Sequence, residues 1–166
     1  MKTTGLIAVG VAVLLFACAP ITQYPIHLRY TPEGAGPTKE ARLGEQVVTV
    51  TTFQDNRGMA DRQLLGQWVN NKGEAIPFVS SPDLPAMSVT EAFVTYLAHR
   101  GYRVNRESRS WDLNPESIQS GWGDTVIGGS IEELSVEARA EGVIIHYDCN
   151  LKLTIAVGDV RGRKNK

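Results

Sequence analysis

The sequence predicts an α+β domain, a mainly antiparallel β-sheet with one principal helix packed on one face. Three observations predict this class. The chain of 166 residues has the length of a single domain. One segment has the spacing of a capped amphipathic helix, and a later segment alternates apolar and polar residues over more than ten positions. The formal net charge of −1 argues against broad nucleic-acid binding.

The first predicted strands follow a lead-in rich in proline and glycine. Residues 19–45 are typical of a tether, with one short strand in the segment YPIHLRY that begins at Tyr24. The β-branched segment QVVTVTTFQ, from Gln46 to Gln54, predicts a strand that ends at the sequence DNRG. The turn sequence NNKG, from Asn70 to Gly73, predicts a short hairpin or a loop excursion.

The principal helix is predicted from Ser88 to Arg100, in the sequence SVTEAFVTYLAHR. Ser88 and Glu91 have the spacing of a capping box, apolar residues recur every three or four positions, and Gly101 ends the helix. The sequence YRV that follows predicts a strand. The polar segment 106–123 predicts a loop with one helical turn near residues 115–119.

A long antiparallel hairpin is predicted near the carboxyl end, from strands at 124–139 and 142–159. Alternating apolar residues of the second strand, including Cys149, predict one half-buried face. Because Cys149 has no disulfide partner if Cys18 carries lipid, we expect its thiol to be buried. The glycines of VIGGS, Val126 to Ser130, predict either a bulge or a close approach by a packed helix, for which the helix at Ser88 is the candidate.

The amino terminus predicts a secretory leader. Residues 5–17 carry no charge and follow Lys2; this run is too short to span a bilayer, which takes about 20 residues, but it suits a signal peptide. The sequence LFAC that ends at Cys18 resembles the bacterial lipobox. The resemblance implies that Cys18 receives diacylglycerol on its sulfur and, after cleavage, an acyl chain such as palmitate on its amine. The alternative is a secreted protein with a structural Cys18.

These features divide the chain into a signal peptide at 1–17, a lipidated tether and lead-in at 18–45, and one α+β domain at 46–166. The residue after the cysteine is Ala19 rather than an aspartate. By its resemblance to sorted lipoproteins, this favours the periplasmic face of the outer membrane.

The lipobox, the strand ending in Asp55 and Arg57, the helix closing on Arg-Gly-Tyr and the paired strands together resemble the YajG family of uncharacterised bacterial lipoproteins. The resemblance covers Cys18 and about residues 46–160. The resemblance implies a location in the cell envelope and a fold, but it implies no chemical reaction. Because such proteins continue with an amphipathic carboxy-terminal helix, we expect the chain to be truncated after Lys166 and to lack that helix.

No motif predicts a catalytic residue, a metal site or a cofactor, because the three histidines lie far apart and no metal-binding spacing is present. Asp55 and Arg57 follow a strand end and are candidates for binding a partner; alternatively, they form a turn in which Arg57 pairs with a carboxylate. We therefore expect a non-catalytic lipoprotein that binds or scaffolds envelope components. The alternatives are an accessory subunit of an envelope secretion, transport or assembly complex, and an envelope hydrolase whose serine and histidine converge only in three dimensions.

Overall fold

The computed structural model describes residues 22–33 and 46–162, so the predicted signal peptide and Cys18 lie outside the described part. The α+β class is confirmed, since the described residues form mostly strand with a single α-helix. The elements are β1 (Tyr24–Ile26), β2 (Val47–Thr51), β3 (Gln54–Asp55), β4 (Leu64–Val69), β5 (Ala75–Ser80), α1 (Pro85–His99), β6 (Arg103–Glu107), a short 3₁₀ helix (Pro115–Ser117), β7 (Thr125–Glu141) and β8 (Ile144–Asp159).

Strand β7 organises the sheet. Strands β2, β3 and β4 run parallel to it, one after another along one edge, and β8 runs antiparallel to it over its whole length. Strand β6 lies beyond β2, while β5 and β1 lie beyond β4. The sheet is therefore mixed: both predicted hairpins are antiparallel, but the shorter strands run parallel to β7. The parallel pair β2–β6 needs a crossover connection, which α1 supplies.

Helix α1 covers the sheet at β2 and β3, where Phe93 stacks on Phe53 with ring centroids 4.8 Å apart. The predicted capping box is wrong, because α1 begins at Pro85 and no side chain caps it. Proline suits this first position, where its fixed φ matches the helix and no N–H is needed. Glu91 instead forms an ion pair with Arg106 of β6.

The opposite face of the sheet is covered by the loop before β7. Trp111 and Trp122 of this loop are buried against Val126 and Val160. The prediction that α1 approaches the VIGGS glycines is wrong at Gly128: a Cβ placed there would lie 3.2 Å from the Trp111 ring. Gly129 faces Phe53, so α1 reaches that glycine only indirectly, through the stacked phenylalanines.

Candidate protein-binding surface

The outer edge of β8 is the longest unpaired strand edge in residues 22–33 and 46–162. Strand β8 has 16 residues and, of the strands in the described part of the chain, pairs with β7 alone. Folded proteins usually protect such an edge with lysines, prolines or bulges. Strand β8 contains one lysine, Lys152, and no proline, and the bulge in the hairpin lies on β7. Its backbone N–H and C=O groups are therefore open to a further strand.

One face of β8 is apolar and exposed, and we call it the hairpin face. Tyr147 and Val157 are each 67% exposed, and Leu151 is 58% exposed. An apolar surface of this kind usually marks a binding site. The hairpin face consists of Ile145, Tyr147, Cys149, Leu151, Leu153, Ile155 and Val157.

The hairpin face is exposed because α1 reaches only its middle. There Leu151 and Leu153 line an apolar groove of about 230 Å³ together with Tyr30, Phe93 and Tyr96. The expected burial of Cys149 is wrong for this reason: its thiol is free and exposed, and among the described residues no helix lies over it. The apolar pattern correctly placed Cys149 on the apolar face, but that face has no cover in the described part.

The polar side of the hairpin carries unbalanced charge. Asp148 lies directly opposite Glu137, whereas Lys152 lies opposite Glu133. Among the ion pairs of the described residues, neither Asp148 nor Lys152 takes part. Asp148 therefore lies across from a second carboxylate with no cation paired to it in this part of the chain.

Asp55 and Arg57, predicted as partner-binding residues, form a buried ion pair with each other. The Arg57 side chain is 3% exposed and its Nη2 lies 2.8 Å from Oδ2 of Asp55. Its remaining donors reach Oδ1 of Asp55 and the backbone carbonyls of Arg62, Leu64 and Leu134. The guanidinium thus ties the segment after β3 to β4 and β7. With its donors used within the chain, this geometry supports the turn and carboxylate-pairing interpretation more than a partner site.

The charge state of Asp55 follows from this environment. Burial raises the pKa of the Asp55 carboxyl, but the hydrogen bonds and positive charge of Arg57, together with Arg62, outweigh burial and hold that pKa below its usual value. Asp55 is consequently an anion wherever the protein is folded near neutral pH. The pair stabilises the native state and presents no net charge to a partner.

Ser80 and Ser130, two serines that a hydrolase could use as nucleophiles, donate their hydroxyl groups to other partners. Ser80 donates to the carbonyl of Asp83, and Ser130 donates to the carboxylate of Glu132. His146 lies 3.7 Å from Glu141 near the hairpin turn. Within residues 22–33 and 46–162, no group of three or more histidine, cysteine or acidic side chains is arranged to hold a metal ion. No helix in those residues has the length and apolar character to cross a bilayer.

Three short strands, β2, β3 and β4, thus lie end to end along one edge of β7, and β8 pairs with its other edge. The lipobox and the YajG resemblance rest on sequence features partly outside this sheet. Comparison of the chain with protein-family models, curated proteins and solved structures found no match, so membership of the YajG family stays a prediction.

Proposed function

We propose that this protein is a non-catalytic lipoprotein, anchored to the periplasmic face of the outer membrane through Cys18, that binds envelope proteins with its β7–β8 hairpin. The observation that carries the binding role is the exposed apolar hairpin face beside an unpaired strand edge. A partner can be bound there through side-chain burial, through strand addition, or through both.

The lipid anchor is supported by the sequence around Cys18. One acyl chain holds a protein at a membrane only marginally, while two or more hold it stably. A cysteine carrying diacylglycerol and an amide-linked acyl chain would therefore keep the domain at the bilayer. Five residues, one of them Pro20, separate Cys18 from β1, so the lipid would hold the domain close to the bilayer.

The binding role is supported by the composition of the surface. Aromatic and aliphatic side chains such as Tyr147 and Leu151 contribute most to binding when a partner covers them.

The anchor is tested by feeding cells radioactive palmitate. We expect label on the wild-type chain and none on the variant Cys18→Ser, because only this cysteine follows the lipobox pattern. The matched control is Cys149→Ser, which removes the other cysteine and should keep full label. An unlabelled wild type, or equal label on Cys18→Ser, would contradict the anchor.

The binding surface is tested with a photoreactive amino acid placed at Tyr147 of the full chain in intact cells. We expect a discrete adduct whose mass shows a second, different protein, because Tyr147 is 67% exposed on the part of the hairpin face that α1 does not reach. Ser120, exposed on the loop that covers the opposite face, is the control position and should give no such adduct. The binding role is wrong if Tyr147 gives no protein adduct, or if Ser120 gives the same one.

A further inference from the structure

We infer that two copies of this chain associate edge to edge through β8, in antiparallel orientation, with the twofold axis at Asn150. This inference rests on the proposed function in using the same hairpin, but it assigns the edge to a second copy and leaves the hairpin face to other proteins. The observation behind it is the self-complementary order of side chains along an unpaired strand.

The charges of β8 select this register. With Asn150 opposite itself, Asp148 of each copy lies directly across from Lys152 of the other. Opposite charges in directly opposed positions stabilise a strand pair. Two such pairs form at once because of the twofold symmetry. Each of these pairs places the Lys152 ammonium beside Asp148. Within one chain, Asp148 lies opposite Glu137.

The apolar residues fit the same register. Tyr147 lies across from Leu153 of the second copy, and Ile145 lies across from Ile155. Aromatic and β-branched pairs of this kind favour strand association. The hairpin faces of the two copies then form one continuous apolar surface on the side of the sheet that carries α1.

Neighbouring registers are less favourable. A shift of the axis by half a residue places apolar residues of one copy opposite polar residues of the other. Moving the axis to Cys149 sets Lys152 opposite His146, and moving it to Leu151 sets Asp148 opposite Thr154. Both moves lose the two ion pairs. Among these registers, only the one centred on Asn150 keeps the faces matched and the charges paired.

The register is tested by disulfide trapping of the full chain in isolated membranes. In a Cys149→Ser background, Asn150→Cys should give a disulfide-linked dimer under mild oxidation, because opposed residues of an antiparallel pair have Cα atoms about 4.5–5.5 Å apart. The control, Thr154→Cys in the same background, should stay monomeric, because its two copies would be separated by eight residues, about 27 Å. The Cys149→Ser chain without an added cysteine gives the baseline yield of any disulfide-linked dimer formed through Cys18.

A charge exchange tests the pairing chemistry. Lys152→Asp in the trapping background should lower the dimer yield about tenfold, because both ion pairs become like-charge pairs. The double variant Asp148→Lys, Lys152→Asp should restore the yield. Within the hairpin, residue 148 lies opposite Glu137 and residue 152 lies opposite Glu133. The exchange moves the favourable lysine–glutamate pair from Glu133 to Glu137, so we expect the hairpin to keep the stability of the wild type.

The outcomes separate the two proposals. An Asn150→Cys chain that stays monomeric overturns the dimer. Equal trapping of Thr154→Cys, or no restoration by the double variant, overturns the register. The Tyr147 adduct with a different protein should persist in Lys152→Asp, whereas an adduct between two copies, which Tyr147 opposite Leu153 would also give, should fall with the dimer. Loss of the adduct with the different protein would count against the proposed function alone.

Discussion

Replacing Arg57 by alanine is expected to lower the free energy of unfolding by about 3–5 kcal/mol, because it leaves the largely buried carboxylate of Asp55 with only the half-exposed Arg62 as a cation nearby. It also removes the hydrogen bonds to the carbonyls of Leu64 and Leu134, which join the segment after β3 to the adjoining strands. Domains of this size are stable by roughly 5–15 kcal/mol in total. Urea unfolding followed by circular dichroism should therefore show a midpoint far below that of the wild type.

The matched control is Arg62→Ala. Arg62 lies 3.5 Å from the same carboxylate, but its side chain is half exposed. Ion pairs at such exposed positions contribute about 0–1 kcal/mol, so this variant should unfold close to the wild type. Arg57→Lys keeps the charge but loses the planar fork that satisfies several acceptors, and we expect intermediate stability. If Arg57→Ala and Arg62→Ala unfolded alike, the buried pair would not have the role assigned to it.

The same pair gives a pH dependence with a defined sign. The folded-state pKa of Asp55 is depressed, so its contribution is fully present above the unfolded value, about 4, and is lost as pH falls through the lower folded value. The stability difference between wild type and Asp55→Asn should therefore shrink below about pH 4. The comparison isolates Asp55 from Glu107, whose pKa is lowered to about 2 chiefly by hydrogen bonds from Arg109.

Periodic patterns along the sequence predicted the elements but not their partners. The alternation in β8 and the turn signal at Asn70 both led to hairpins that the structure confirms. The parallel pairing of β2, β3 and β4 with β7 was not predicted, because parallel partners are distant in sequence and leave no local signal. The start of α1 was missed since Ser88 offered a plausible cap, while Pro85, three residues earlier, also begins a helix well.

The candidate surface was predicted only in part. The apolar face of β8 was predicted correctly from its period of two. Whether that face is exposed depends on which other elements cover it, and periodicity does not predict those elements. Cys149 shows this limit, because its position on the face was predicted and its exposure was not. Asp55 and Arg57 were singled out by their place after a strand. Their mutual burial comes from β4 and β7, which approach them from elsewhere in the chain.

Replacing Trp111 by alanine is expected to lower the free energy of unfolding by about 3–5 kcal/mol, because the ring is 3% exposed and fills the space over two glycines of the hairpin. A Cβ at Gly128 or Gly158 would lie 3.2 or 3.1 Å from this ring. The ring nitrogen also donates to the carbonyl of Asn114 and to Ser117. Thermal or urea unfolding would measure the loss.

Two further variants show whether the ring acts through this packing. Trp111→Phe keeps most of the buried volume and should lose markedly less stability than the alanine variant, chiefly the indole hydrogen bonds, which contribute about 1 kcal/mol. Gly158→Ala should be destabilising in the wild type, where its Cβ meets Ile118, Val126 and the ring. Gly158→Ala should lower the stability by less in the Trp111→Ala background, because the stability changes of substitutions at contacting residues do not add. Simple addition of the two losses would show that the Trp111 ring does not limit the space at Gly158, where Ile118 and Val126 lie closer still.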